Sequence, residues 1–78
     1  MTVSRAQVRE YLGGRFGLDV ATLDDDEPLF STGLLDSFNV TELVTFLEEQ
    51  TGAIVSADEL SFANLDTVDR IVAFGEVL

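Results

Sequence analysis

A serine at position 37 stands directly after Asp36 and opens a stretch, Ser37 to Gln50, in which apolar residues return at helical spacing. The first turn of a helix presents its side chains to solvent, so a hydroxyl there is reachable. Unpaired backbone N–H groups and the positive end of the helix dipole favour negative charge at the same point. Asp36 has the type and place of an N-cap, worth about 1 kcal/mol. Whether the Ser37 hydroxyl only caps the helix or carries a group is left open by the spacing alone.

Other chemistry is poorly supplied. The chain has no cysteine and no histidine. That removes disulfides, Cys- or His-ligated zinc, the usual general base and any Ser-His or Cys-His nucleophilic pair. Catalysis by this chain alone is therefore not expected. The acidic run Asp24-Asp25-Asp26-Glu27 raises calcium as a ligand, but a calcium loop of the EF-hand kind needs alternating oxygen ligands, a central glycine and a distal glutamate. The run lacks that spacing, and no metal site is expected.

Fifteen acidic residues stand against four arginines, with no lysine, for a formal net charge of −11 over 78 residues. Such a charge repels nucleic acid and anionic membrane surfaces and attracts proteins with basic patches. No apolar run approaches the length of a membrane span, and no basic-then-apolar leader opens the chain. A cytoplasmic, monomeric protein is the expectation. The length allows one domain, 1–78, held by hydrophobic packing.

The elements that must position Ser37 read as helices. Ser4 with Gln7 three residues later is a capping-box signature, and Val8, Tyr11, Leu12 and Phe16 then form one apolar stripe. Helix one is expected over residues 4 to 16, fraying near Gly13 and Gly14. Residues 17 to 36 form a long connection whose leucines, valine and phenylalanine should tuck against the bundle while the acidic tetrad stays in water; a loop of this length is usually functional. At about 100° per residue, Val40, Leu43, Val44 and Leu47 cluster as the core face of helix two, which Thr51-Gly52 should end. Phe38, Glu42, Thr45 and Glu49 fall opposite, with Phe46 on the flank. Ser56-Ala57-Asp58-Glu59 is a second capping box and predicts a short third helix near residues 57 to 61. Asp66 or Thr67 caps a last helix with Val68, Ile71, Val72 and Leu78 on one face and Gly75 allowing close approach. Tyr11 and Phe74 read as core. The sum is an all-α, small four-helix bundle with a long first loop and a short third helix.

The segment Leu29-Phe30-Ser31-Thr32-Gly33-Leu34-Leu35-Asp36-Ser37-Phe38 resembles the acyl carrier family, in which a D-S-L-like tripeptide carries a prosthetic group on its serine. The resemblance runs on through Pro28-Leu29-Phe30, Leu43 to Leu47, Thr51-Gly52, Ile54, Asp58-Glu59-Leu60 and Asn64-Leu65-Asp66-Thr67-Val68, nearly the whole chain. It implies a covalent phosphopantetheine on Ser37, holding an acyl or aminoacyl cargo as a thioester. Asp36 would then also help the phosphopantetheinyl transferase engage its metal ion and basic residues. The lack of cysteine fits, since the working thiol would belong to the arm. Gly33-Leu34-Leu35-Asp36-Ser37 looks more like free-standing carriers of the D-alanyl kind, or discrete carriers of specialised metabolism, than like peptidyl carriers with histidine before the serine.

Partners implied by the resemblance are that transferase, an adenylating or acyl-loading ligase and downstream transferases, and no nucleic acid. Phe38, Glu42, Thr45 and Glu49 would form the docking face, Phe38 as apolar anchor and the glutamates steering basic surfaces. The plainer readings are that Phe38 folds back on Phe30 or Leu34, and that Glu42, Glu48 and Glu49 are only a solvated face. Two other classes remain: an unmodified acidic interaction module, and an acidic nucleic-acid mimic.

Overall fold

The computed structural model describes residues 3–56 and 61–78. Its elements are α1 (Arg5–Phe16), α2 (Ser37–Thr51), α3 (Phe62–Leu65) and α4 (Val68–Val77), with no strand among the described residues. The expected all-α bundle of acyl-carrier type, with a long first connection and a short third helix, is the observed fold. The third helix expected near residues 57 to 61 falls mostly on residues 57–60, outside the described ones. The short helix described begins after them.

Local chemistry sets the helix starts. The Ser4 hydroxyl accepts from the Gln7 N–H at 3.1 Å while the Gln7 side chain accepts from the Ser4 N–H at 2.8 Å, the expected capping box. Thr67 caps α4 through the Arg70 N–H at 3.0 Å. α1 runs through its two glycines to Phe16, the expected end; Leu12 is fully buried beside them and Tyr11 meets Phe16 edge to face, with ring centroids 5.5 Å apart.

The apolar stripes meet in one core. Val8 and Leu12 of α1, Leu43 and Leu47 of α2, and Val68 and Ile71 of α4 are each fully buried. Phe74 is buried as expected, and Tyr11, Val44 and Leu78 lie half-buried at the rim. α4 packs against α1 and α3. Gly75 makes the close approach that its position implied: a Cβ there would lie 2.8 Å from the Val3 Cγ1, inside any normal contact distance.

The long connection is tied down at several points. Leu23, Leu29 and Leu35 are buried in the core, whereas Leu34 is 47% exposed and does not tuck in. The acidic tetrad does not simply sit in water either. Asp25 accepts from Arg5 Nε at 2.9 Å and from Arg9 Nη1 at 2.6 Å, and Arg5 also pairs with Asp69. The Asp69 N–H in turn donates to the Asp25 carbonyl at 2.9 Å. A chain with so few cations spends two of them on fastening this loop to α1 and α4.

Candidate functional site

Ser37 is the first residue of α2 and its side chain is exposed. Asp36 is the N-cap. Its Oδ1 accepts from the N–H groups of Phe38 at 3.0 Å and Asn39 at 3.3 Å, and Asn39 Oδ1 accepts from the Asp36 N–H at 2.8 Å. The capping role expected of Asp36 is present, as a reciprocal box. The Asp36 carboxylate thereby takes two of the otherwise unpaired donors of the first turn. What remains to favour negative charge at Ser37 is its own N–H and the helix dipole.

The loop before Ser37 is shaped from a distance. Gly33 has φ of 82°, a left-handed turn that a side chain would strain, and its N–H donates to the Phe30 carbonyl at 3.1 Å. The Leu35 N–H then reaches the Leu29 carbonyl at 2.9 Å. Asp66, at the entry to α4, clasps the start of this turn. Its carboxylate accepts from the Phe30 N–H at 2.8 Å, the Ser31 N–H at 3.1 Å and the Ser31 hydroxyl at 2.6 Å. Its carbonyl accepts from the Leu29 N–H at 2.6 Å. The Ser31 hydroxyl bond, joined by those backbone N–H groups, holds the Asp66 carboxyl below its ordinary range, against a smaller opposing effect of burial. Ser31, the nearest other serine, therefore has its proton committed and no helix N-terminus behind it.

Phe30, Ser31, Leu35, Asp36 and Ser37 line a cleft of about 210 Å³. A larger groove of about 490 Å³, between α1 and α2, includes Tyr11 and Phe46 and shares no lining residue with it.

The face of α2 expected to dock partners divides in two. Phe38 is 82% exposed, so it does not fold back on Phe30 or Leu34. Thr45 and Glu49 are exposed, the Thr45 hydroxyl donating to the Thr41 carbonyl at 3.0 Å. Glu42, placed opposite the core by the helical wheel, is instead half-buried toward α1: its carboxylate meets Arg15 at 2.7 Å and its carbonyl accepts from the Tyr11 hydroxyl at 3.0 Å. Tyr11 lies stacked on Phe46, centroids 4.1 Å apart. Burial, with the Glu42 charge behind it, pushes the Tyr11 hydroxyl up, so it remains the donor. Glu48 is no bare solvated residue either, because its carboxylate accepts from the Val55 N–H at 2.8 Å and pins the chain after α2.

No local spacing signals the Asp66–Ser31 clasp or the Tyr11–Glu42 bond. Each joins residues more than thirty positions apart. Among the described residues, no group of three or more acidic, histidine or cysteine side chains is placed to hold a metal ion, and no helix is long and apolar enough to cross a membrane.

The family model for the phosphopantetheine attachment site matches residues 6–74, nearly the whole chain. The chain belongs to that family of carrier proteins, whose members bear phosphopantetheine covalently on a serine. No curated protein matches the sequence significantly.

Proposed function

We propose that this protein is a carrier that holds an acyl or aminoacyl cargo on a phosphopantetheine arm joined to Ser37, and presents it to the enzymes that load and use it. The observation that carries the reading is the place of Ser37: it is exposed, first in α2, and follows the turn 29–35 within the family match. When bound, the arm supplies a terminal thiol that holds cargo as a thioester.

The chain's own part is to fix the point of attachment and to be recognised. Asp36 holds α2 from its first residue with one carboxylate oxygen, Oδ1. Its other oxygen is available to the basic residues or metal ion of a phosphopantetheinyl transferase. Phe38, exposed beside the serine, offers apolar contact, with Thr45 and Glu49 farther along the same helix. A net charge of −11 draws the basic surfaces of the transferase, an adenylating or acyl-loading ligase and downstream transferases. Bond making and breaking belong to those partners, since the chain contains neither histidine nor cysteine.

The test is intact mass after incubation with coenzyme A and a broad-specificity transferase. Wild type should gain the mass of one phosphopantetheine, and Ser37→Ala should gain none while keeping its helical circular dichroism. Continued labelling of Ser37→Ala would overturn the assignment of the serine. An unlabelled wild type would favour an unmodified interaction module or a nucleic-acid mimic.

A further inference from the structure

The cleft beside Ser37 is contiguous with the proposed attachment point, since Ser37 and its cap Asp36 form one side of it. Its other wall is Phe30, Ser31 and Leu35, apolar except for one hydroxyl. The proton of that hydroxyl is given to Asp66 at 2.6 Å, so within the cleft Ser31 Oγ can act only as an acceptor. The site therefore suits a ligand with a short apolar body and a neighbouring hydroxyl or amide donor, tethered at Ser37.

The part of a phosphopantetheine arm next to its phosphodiester has that chemistry: a carbon bearing two methyl groups, then a hydroxyl, then an amide N–H. Size agrees. At about 210 Å³ the cleft is smaller than the roughly 300–1,000 Å³ of pockets that enclose whole drug-sized ligands. It takes the proximal stretch of the arm and leaves the thiol end outside, where cargo has to be reached.

We propose that this cleft seats the proximal, dimethyl-bearing segment of the arm, with Phe30 and Leu35 against its methyl groups and Ser31 accepting from its hydroxyl or amide. Asp66 is the positioning residue. Its three carboxylate bonds to Phe30 and Ser31 fix the wall from a different part of the chain, and it does not line the cleft itself. This inference rests on attachment at Ser37. A docked arm loses freedom near its root, which narrows the volume searched by the thiol without hiding it.

The experiment uses the full chain, loaded by a transferase from carbon-13-labelled coenzyme A. Intact mass is recorded first and isotope-filtered NOE spectra second. Cross-peaks from the two geminal methyl groups to the Phe30 ring and the Leu35 methyls are expected in wild type. They should weaken several-fold in Asp66→Ala, which removes all three carboxylate bonds to the wall, with helical circular dichroism unchanged. Ser31→Ala keeps both backbone donors to Asp66 and should retain the methyl cross-peaks while the arm's adjacent hydroxyl or amide proton exchanges faster; unchanged exchange of both protons would overturn the acceptor role of Ser31. A fully loaded wild type with no cross-peak to Phe30 or Leu35 would overturn the cleft and leave Ser37 attachment standing. Cross-peaks equally strong in Asp66→Ala would overturn the positioning role. A wild type that takes no arm defeats the attachment reading, and this inference with it.

Discussion

Glu42 on α2 is held by Arg15 on α1, with 2.7 Å between Oε1 and Nη2, so one of the glutamates expected to steer partners is already paired within the molecule. Glu49, one helical repeat further on, is exposed and has no ion pair among the described residues. Steering depends on unscreened, uncompensated charge. Glu49→Gln should therefore slow association with a loading enzyme several-fold at low salt and flatten its salt dependence. Glu42→Gln, which also releases Arg15, should change it less. Stopped-flow association at two salt concentrations measures both, and equal effects would count against the distinction.

Phe38 separates contact from stability. At 82% exposure it contributes little to the core, so Phe38→Ala should leave the melting temperature nearly unchanged. If it anchors a partner, truncation should cost roughly 1–2 kcal/mol of binding, seen mainly as faster dissociation. A lowered melting temperature with unaltered partner kinetics would sink the docking role.

Leu43 and Leu47 are both fully buried. Truncating either to alanine should cost on the order of 2–5 kcal/mol, a large share of the stability of so small a domain. Glu49→Ala should stay within about 0.5 kcal/mol. Denaturant titrations of the three variants check the ranking.

Two glycines should respond in opposite directions. Gly75→Ala would bring a methyl to 2.8 Å from Val3 Cγ1, and should destabilise by about 1–3 kcal/mol through overpacking. Gly14 lies within α1 with nothing inside 4 Å of a Cβ, so Gly14→Ala should stabilise by about 0.5–1 kcal/mol. Thermal melts of the pair give the sign directly.

The Asp66 clasp gives the acid limb a specific contributor. Because the folded carboxyl sits below its ordinary range, its stabilising effect is fully present above the unfolded value. It is lost as pH falls through the lower, folded one. Asp66→Asn should therefore show a shallower loss of stability across that acid range than wild type, in chemical denaturation repeated stepwise from neutral to acid pH. Parallel curves for the two proteins would contradict the assignment.

Much of the frame is written locally. Ser4 with Gln7, Asp36 ahead of Ser37, Gly52 after α2 and Thr67 ahead of α4 each act within three or four residues, where the chain's own connectivity keeps the partners together. The apolar stripes on α1, α2 and α4 are similarly legible, because a fixed helical period converts spacing into a face. Local pattern misleads where a side chain's fate depends on another element. Asp25 looked like part of a solvated run, yet it is claimed by Arg5 and Arg9 from α1. Glu42 looked free on the wheel, yet it leans to Arg15. Phe38 had two open outcomes, and only the packed loop decided that it stays in solvent. The Ser31–Asp66 clasp spans thirty-five positions and the Arg5–Asp69 pair sixty-four. No local pattern encodes such pairs, since closing a long stretch of chain costs entropy that a single hydrogen bond does not recover. They form once burial of the leucine core has brought the helices together, and so the sequence alone determined α1, α2, α4 and the serine that opens α2, while the packed core determined which charges, loops and aromatics surround it.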